Sequence, residues 1–218
     1  MFKYNLTQNG IISQMNIAYP VKEGLYLNIT NRCPCDCVFC LRRNADGVYG
    51  SKSLWLEREP TVEEILAAIG EHDLKNYREL VFCGYGEPTE RLSDVVAVAK
   101  KVKETTPALP IRLNTNGLAD LINGRCVAAE LSGCIDTVSI SLNTPDADEY
   151  VAICRPSFGK CSWQAMIDFA RACREYIPNV VFTIVGEPIT SAENQELCRK
   201  IAADAGVKLR IRPYEPGA

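Results

Sequence analysis

Four cysteines lie within a short segment of the chain, at Cys33, Cys35, Cys37 and Cys40. Three of them, Cys33, Cys37 and Cys40, have the spacing C-x3-C-x2-C and follow directly on an apolar, strand-like run at 25–30. Thiolate sulfur is the ligand that iron–sulfur clusters use, and three thiolates this close in sequence can hold a [4Fe–4S] cluster. Three thiolates for four irons leave one iron without a protein ligand, so this iron can bind another molecule. The motif therefore predicts a metal site that binds a substrate or a cofactor.

The composition narrows the classes of protein to which the chain can belong. It has 218 residues, of which 47% are hydrophobic and 23% charged, and this predicts a single domain over 1–218. The net charge of −3 is spread along the chain and gives no signal for nucleic-acid binding. No apolar run could span a bilayer and the N-terminus resembles no signal peptide, so we expect a cytoplasmic protein with no membrane association. In that compartment, 11 cysteines indicate free thiols and metal ligands.

Short β-branched runs alternate with amphipathic stretches along most of the chain. The predicted strands are 25–30, 79–84, 111–116, 136–143, 180–186 and 208–213. The predicted helices are 61–72, 91–105, 119–132, 161–176 and 191–205. Thr61 followed by Glu64 predicts a capping box at the start of the first helix. Alternation at this spacing predicts βαβ units and a parallel sheet.

The number of strands predicts an α/β fold of a particular kind. Six strands and five helices suit a partial (β/α)6 TIM-like barrel over 25–215, and a doubly wound open sheet is the alternative. An N-terminal β-hairpin extension is predicted over 1–20, because Asn9-Gly10 suits a type I′ turn. In both folds, ligands bind at the carboxyl ends of the strands. The cysteines and the segments GYGEP, LNTNG and SISLN all lie there.

These segments together resemble the motifs of the radical S-adenosylmethionine (SAM) superfamily, and the resemblance covers almost the whole chain. The segment CPCDCVFC, at 33–40, resembles the cluster motif of that superfamily. Phe39 stands where the superfamily places an aromatic residue that packs on the adenine. GYGEP resembles its Gly-Gly-Glu segment, which binds the methionine amino group, although Tyr85 replaces one glycine. The resemblance therefore assigns Tyr85, Gly86 and Glu87 to cofactor binding.

Further along the chain, the resemblance assigns five more residues to the cofactor. LNTNG is similar to the L-D-T-N-G of glycyl-radical activating enzymes, in which the acidic residue contacts the ribose, and Asn114 replaces that acid here. Ser141 and Asn143 match a fourth-strand pattern whose polar residues face the cofactor. Arg155 belongs to an R-x-x-x-G pattern found near the SAM carboxylate, and Tyr214 stands where a residue approaches the adenosine. From the residues alone, Asn114, Ser141 and Asn143 equally suit strand-end polar side chains that bind loop backbone.

The resemblance implies an enzyme with a [4Fe–4S] cluster and S-adenosyl-L-methionine as cofactors, the metal being held by Cys33, Cys37 and Cys40. Reductive cleavage of SAM would yield a 5′-deoxyadenosyl radical that abstracts hydrogen from an unidentified small-molecule or macromolecular substrate. A flavodoxin or ferredoxin-type protein is the implied reductant. The short length and the segments CGYGEP and ICRPSFG most resemble small radical SAM proteins associated with TatD-type hydrolases. No residue is assigned as a catalytic acid or base.

Two other functions remain open at this point. One is an activating enzyme that makes a glycyl radical on a partner protein, which the LNTNG segment favours. The other is a non-enzymatic iron–sulfur or zinc protein, although a segment as short as 33–40 wraps poorly around a tetrahedral zinc ion. Cys35 is expected to be a small loop residue and Cys83 a small buried residue. Cys154 and Cys161 lie on a connection that should face the site, where they are candidates for a second cluster.

Overall fold

The structure, a computed structural model, describes residues 15–43, 45–48 and 50–214. In this part of the chain a seven-stranded sheet has its strands in sequence order. The strands are β1 (Ala18–Val21), β2 (Gly24–Leu27), β3 (Glu79–Phe82), β4 (Ile111–Thr115), β5 (Thr137–Ser141), β6 (Asn179–Val185) and β7 (Lys208–Arg212). β1 and β2 are antiparallel, and all later pairs are parallel. A doubly wound fold requires the strand order to reverse. Here it never reverses, so the partial barrel is confirmed.

An antiparallel hairpin does precede the parallel strands, but it lies later in the chain than the sequence indicated. β1 and β2 are joined at Lys22-Glu23, where Lys22 adopts a left-handed conformation with φ 52°. The predicted turn at Asn9-Gly10 lies outside the described residues. The sequence analysis placed the hairpin over 1–20 and predicted no strand at Ala18–Val21, where Pro20 weakens the strand pattern. β1 is an edge strand of the sheet, and an edge strand tolerates a residue without an N–H.

Six α-helices connect the strands of the described chain. They are α1 (Val62–Gly70), α2 (Leu92–Thr105), α3 (Ala119–Asn123), α4 (Ala147–Cys154), α5 (Cys161–Cys173) and α6 (Ala192–Ala205). The predicted helix over 119–132 is wrong, because the chain turns at left-handed Gly124 and 128–131 forms a separate 3-10 helix. The sequence analysis also missed α4. Its start carries a signal that was available, since the Asp146 side chain accepts a hydrogen bond from the Glu149 N–H.

The two faces of the sheet differ in chemistry. One face packs on the helices through fully buried side chains, among them Leu25, Leu27, Phe82, Leu113, Ile140 and Phe182. The other face lines the interior of the barrel, and there the register aligns Tyr26, Val81 and Arg112 in one row. Nearer the carboxyl ends of the strands, Thr183 lies beside Arg210 on the same face. The interior is therefore polar, as a binding site requires.

A small second core covers part of the interior below the hairpin. It consists of Tyr19, Val21, Val48, Leu54 and Tyr85, with the partly buried Tyr26 packed against it. The long connection between β2 and α1 supplies two of these side chains and therefore covers the β1–β2 side of the barrel. β1 and β7 are the edge strands of the sheet, which leaves the barrel open between them.

None of the helices in the described ranges has both the length and the apolar character needed to cross a lipid bilayer. All 11 cysteines are free thiols in the structure.

Candidate functional site

The cysteine motif lies on the loop after β2, at the carboxyl ends of the parallel strands. Two backbone hydrogen bonds attach this loop to the end of α4. The Asp36 N–H donates to the Cys154 carbonyl at 3.1 Å, and the Val38 N–H donates to the Ile153 carbonyl at 2.9 Å. Within the loop, the Cys40 N–H donates to the Cys37 carbonyl at 3.2 Å. The helix that sequence analysis missed is thus the element that holds the cysteine loop in place.

The thiols of the motif interact with one another. Cys35 is only 4% exposed and packs in the main core, where interaction with Cys33 and Cys37 raises the pKa of its thiol. Hydrogen bonding from Cys35 lowers the pKa of Cys33. Hydrogen bonding from Cys154, and then from Cys35, lowers the pKa of Cys37, whereas burial raises the pKa of Cys40. Cys33 and Cys37 thus have the thiolate character that metal ligands need.

The donor set suits an iron–sulfur cluster. Cys33, Cys37 and Cys40 are three free thiols on one loop, and thiolate sulfur is the ligand of such clusters. In a four-iron cluster each thiolate binds a different iron, so its ligands need not meet at one point. Among the described residues, no group of three His, Cys, Asp or Glu side chains is placed to hold a single metal ion.

Glu87 lies beside this loop with its carboxylate buried. It is 3% exposed, and Oε1 accepts from the Thr115 hydroxyl at 2.7 Å and from the Thr89 hydroxyl at 2.8 Å. Oε2 accepts from the Asn116 N–H at 2.7 Å. Burial raises the pKa of Glu87, and these donors oppose that shift. Oε2 has a single donor in the described structure, so it retains a lone pair for a cationic ligand.

Asn116 connects the carboxylate to the cysteine loop. Its backbone N–H binds Glu87, while its side-chain Nδ2 lies 3.9 Å from the Cys33 sulfur and 3.8 Å from the Cys35 sulfur. A second connection runs through the backbone, where the Glu87 N–H donates to the Arg32 carbonyl at 2.7 Å. The thiols after β2 and the carboxylate after β3 therefore form one continuous unit.

Close backbone contact explains the glycines of GYGEP. A Cβ on Gly86 would lie 2.3 Å from the Thr30 carbonyl oxygen and 2.6 Å from the Arg32 carbonyl oxygen. A Cβ on Gly84 would lie 2.1 Å from Oδ1 of Asn28. Neither position has room for a side chain. The segment can therefore approach the cysteine loop this closely only with glycine at both positions.

Tyr85, between the two glycines, takes no part in that contact. Its backbone N–H is bound by the Asn28 side chain at 3.3 Å, and its hydroxyl donates to the Ala45 carbonyl. Its ring meets Trp55 edge to face, with 5.2 Å between centroids. Tyr85 thus fixes the long connection over the barrel interior.

Three cavities open at this end of the barrel, with volumes of about 320, 200 and 460 Å³. Of the residues that the sequence singled out, the first cavity is lined by Phe39, Cys40, Asn143 and Tyr214, the second by Glu87, Asn114 and Ser141, and the third by Cys40, Tyr85 and Asn114. Cys40 and Asn114 each border two cavities, so the three volumes adjoin. Most of the predicted cofactor residues are thus brought together around one space.

Two of the predicted cofactor residues, Gly86 and Arg155, line none of the three cavities. Gly86 nevertheless lies against the backbone before the cysteines, whereas Arg155 is the C-cap of α4 with φ 46°. Its guanidinium lies 3.9 Å from the Asp36 carboxylate in an exposed ion pair. The structure therefore does not bring Arg155 to the cofactor residues. After this left-handed residue the chain runs along the cysteine loop, where Pro156 pairs with Cys35 and the Ser157 N–H donates to the Pro34 carbonyl at 2.8 Å.

Sequence analysis missed three arginines that line the cavities. Arg112 borders the third cavity, Arg210 borders the second and third, and Arg212 borders all three. The alternation in Lys-Leu-Arg-Ile-Arg over 208–212 was the available signal, because a strand places every second residue on one face. Cys83, predicted to be a small buried residue, also lines the second and third cavities.

The positive charge of Arg112 is balanced by a carboxylate inside the barrel. It is 7% exposed, and its guanidinium binds both oxygens of Glu79, at 2.5 and 3.0 Å. It also donates to the Tyr26 hydroxyl at 3.2 Å and to Oδ1 of Asn114 at 2.9 Å. Asn114 is thus oriented by a neighbouring cation, with its amide directed along the wall of the cavities.

Comparison with known proteins finds a matching family and curated relatives. The sequence profile of the Radical SAM superfamily matches residues 27–201. Among curated proteins, the GTP 3′,8-cyclases of two Corynebacterium glutamicum strains are 32% and 31% identical over 141 residues, which is 62% of this chain and 34% of each relative. The chain thus spans about a third of the length of these relatives.

Solved structures resemble the fold at low sequence identity. A radical SAM methyltransferase from Sphaerobacter thermophilus matches with a TM-score of 0.63 and 15% identity, over 90% of this chain and 68% of that one. Methylornithine synthase (PylB) matches with a TM-score of 0.59 and 16% identity, over 88% of this chain and 53% of that one. These structures support the barrel architecture.

Proposed function

Because the chain belongs to the radical SAM superfamily, whose members use a [4Fe–4S] cluster and S-adenosylmethionine, we propose that it is a SAM-cleaving radical enzyme. One observation carries the proposal: Asn116 bridges the Cys33 thiol and the buried Glu87 carboxylate, so that the metal-binding and the amine-binding groups adjoin. When bound, the cluster supplies the electron that cleaves SAM to methionine and a 5′-deoxyadenosyl radical, which takes hydrogen from the substrate.

The residues of the chain divide the binding of these groups among them. Cys33, Cys37 and Cys40 would hold the cluster. Glu87 would accept a hydrogen bond from the SAM amino group, since a buried carboxylate with a vacant lone pair favours a cation. Gly86 lets this segment lie close enough to do so.

The first cavity would hold the adenosine end of SAM. Phe39 and Tyr214 line it and are both partly exposed, which leaves aromatic surface free to pack on a base. Asn143 lines the same cavity in a left-handed conformation, φ 66°, and its amide is bound to the Cys154 sulfur at 3.3 Å. Ser141 and Asn114 line the second cavity and would contact the ribose. The chain would thereby orient SAM and shield it from water.

The third cavity supports a small-molecule substrate. Its volume of about 460 Å³ lies within the range of known small-molecule sites, roughly 300–1,000 Å³. We also propose that the protein belongs to the group associated with TatD-type hydrolases, supported by CGYGEP at 83–88 and ICRPSFG at 153–159. A flavodoxin or ferredoxin-type protein would deliver the electron. A reducing, cytoplasmic location is supported by the free thiols.

Product formation tests the proposal. The protein is reconstituted anaerobically with iron and sulfide, reduced with dithionite and incubated with SAM, and 5′-deoxyadenosine and methionine are quantified by chromatography. We expect both products from the unmodified protein and neither from Cys40→Ala. Cys126→Ala, which removes an exposed thiol outside the motif, is the matched control and should form both. Absence of both products from the cluster-loaded protein would refute the proposal.

A further inference from the structure

The face of β7 that lines the barrel is entirely cationic. Register with β6 pairs Thr183 with Arg210 and Val185 with Arg212, and Thr183 lines the second cavity together with both arginines. The intervening Leu209 and Ile211 pack against the main core on the opposite face. The strand thus presents two guanidinium groups, two residues apart, to the space beside the cofactor residues.

In the described part of the chain these two cations have no carboxylate partner. No carboxylate lies within ion-pair distance of Arg210 or Arg212, whereas Arg112 binds Glu79 through two hydrogen bonds. Among the described residues, the only side-chain hydrogen bond of Arg210 is a long one, 3.5 Å to the Ser139 hydroxyl. Burial and the charges of Arg112 and Arg212 lower the pKa of Arg210, yet a guanidinium remains protonated at any physiological pH. Both side chains are exposed in the described structure, so their charges are accessible to a ligand.

The lining of the third cavity also has an apolar and aromatic part. It is formed by Tyr19, Val21, Tyr26, Leu54 and Tyr85. Tyr19 and Tyr26 lie with 5.8 Å between ring centroids and 48° between ring planes. The cavity therefore offers a ligand both guanidinium groups and aromatic rings. A ligand with an anionic group and an apolar body matches both parts of this lining.

We propose that the third cavity binds a substrate whose oxyanion group, a carboxylate or a phosphate, is held by Arg210 and Arg212, with its apolar body against the aromatic part of the lining. Planar guanidinium groups match both oxyanions by paired hydrogen bonds, and an anion here relieves the repulsion among the arginines. The inference rests on the proposed function, because it identifies the substrate class of that same radical chemistry.

SAM itself carries an oxyanion, its carboxylate, and Arg212 also borders the first cavity. The proposed substrate and SAM thus both carry an oxyanion that these arginines can bind, and the experiment must distinguish between the two. Arg210 does not line the first cavity but does line the second, where we place the ribose, so its variant must be compared for SAM affinity and probe affinity side by side.

Binding of simple aromatic anions to the cluster-loaded protein tests the proposal. Phenyl phosphate, phenylacetate and the neutral benzyl alcohol are titrated calorimetrically under anaerobic conditions with SAM present, and SAM affinity is measured separately by equilibrium dialysis. We expect at least one anionic probe to bind roughly tenfold or more tightly than benzyl alcohol, with an affinity that falls as salt rises. Which anion binds identifies the carboxylate or the phosphate.

Three variants locate the site. Arg210→Gln and Arg212→Gln should each weaken binding of the preferred anion by roughly ten- to a hundredfold, the effect of losing charged hydrogen bonds. Lys208→Gln removes a cation from the same strand at a position that borders none of the three cavities, so its affinity should match that of the unmodified protein. Probe affinity should fall by a larger factor than SAM affinity in Arg210→Gln.

Two results would overturn the proposal. One is equal or absent binding of the anionic probes relative to benzyl alcohol in the unmodified protein. The other is loss of SAM affinity in Arg210→Gln without loss of probe affinity, which would assign the arginine to the SAM carboxylate. Failure of the proposed function is a separate outcome, since it is recorded as absence of 5′-deoxyadenosine from the unmodified protein whatever the probes do.

Discussion

Substitution of Gly86 by alanine tests the close approach between GYGEP and the cysteine loop. The new Cβ would lie 2.3 Å from the Thr30 carbonyl oxygen, whereas such contacts are essentially never shorter than 3.0 Å. The two backbone segments must therefore separate by at least 0.7 Å, the difference between these two distances. Both neighbours are backbone atoms, so no side-chain rotation can absorb the strain. Overpacking of this kind costs about 1–3 kcal/mol.

The displacement should affect both folding and function. For a chain of this size, about 1–3 kcal/mol corresponds to a melting temperature lowered by roughly 2–12 °C. A shift approaching 1 Å at a binding site can cost about a hundredfold, so SAM affinity should fall more than stability predicts. Melting is followed by circular dichroism and SAM affinity by equilibrium dialysis on the reconstituted protein.

Gly70→Ala is the matched control for this prediction. Gly70 ends α1, and a Cβ there meets nothing within 4 Å. Alanine at such a position should leave SAM affinity unchanged and raise stability by up to about 1 kcal/mol. Unchanged melting and unchanged SAM affinity in Gly86→Ala would refute the close approach and, with it, the joint placement of carboxylate and thiols.

Three further predictions concern the helix cap, the buried ion pair and the adenine face. Hydrogen bonds from Arg58 hold the pKa of Glu64 at about 2, so Glu64→Gln should cost about 0.5 kcal/mol at neutral pH, and the difference from the unmodified protein should vanish as pH falls from about 4.3 towards 2. Glu79→Leu leaves buried Arg112 without its carboxylate and should cost about 3 kcal/mol in urea unfolding, most of it recovered when Arg112→Met is added. Phe39→Ala should leave the urea midpoint nearly unchanged, because the ring is 42% exposed, but weaken SAM binding about tenfold.

Each of these predictions has an outcome that contradicts it. A loss in Glu64→Gln that is independent of pH would show that the cap acts through shape and not through charge. Additive losses in the Glu79 and Arg112 double variant would mean that the two residues do not compensate each other. Undiminished SAM affinity in Phe39→Ala would remove the first cavity as the adenine site.

The sequence predicted the repeating architecture and the metal motif because both depend on local patterns. β-Branched runs alternating with amphipathic stretches predict a parallel sheet at any position along the chain. The spacing of Cys33, Cys37 and Cys40 lies within one loop, so no tertiary information was needed to recognise it. The capping box at Thr61 and Glu64 is similarly local, and both of its hydrogen bonds are present.

What the sequence did not predict depends on contacts between distant segments. α4 was missed although Asp146 carries a local cap signal, and the bonds from its end to Asp36 and Val38 cannot be read from either segment alone. The placement of Arg155 outside the cavities follows from the left-handed end of that same helix. The helix over 119–132 was overextended, although Asn123-Gly124 is a local stop signal, and Gly124 adopts the left-handed conformation that ends the helix.

The arginines of β7 illustrate a signal that was present but had no evident meaning. Alternating charge over 208–212 is visible in the sequence, and it is ordinarily assigned to a solvent-exposed face. Only the register of β7 beside β6 places Arg210 and Arg212 along the cavities. Their function as a group depends on the absence of a carboxylate partner among the described residues, which is a three-dimensional property.

The most direct test of the central claim is an electron paramagnetic resonance measurement on the reconstituted, dithionite-reduced protein with and without SAM. The account predicts a [4Fe–4S]⁺ signal that changes when SAM is added. The signal should be lost in Cys37→Ala and retained in Cys126→Ala, which removes an exposed thiol elsewhere. A cluster signal that SAM leaves unchanged, or bound zinc without a cluster, would contradict the assignment of this site to SAM chemistry.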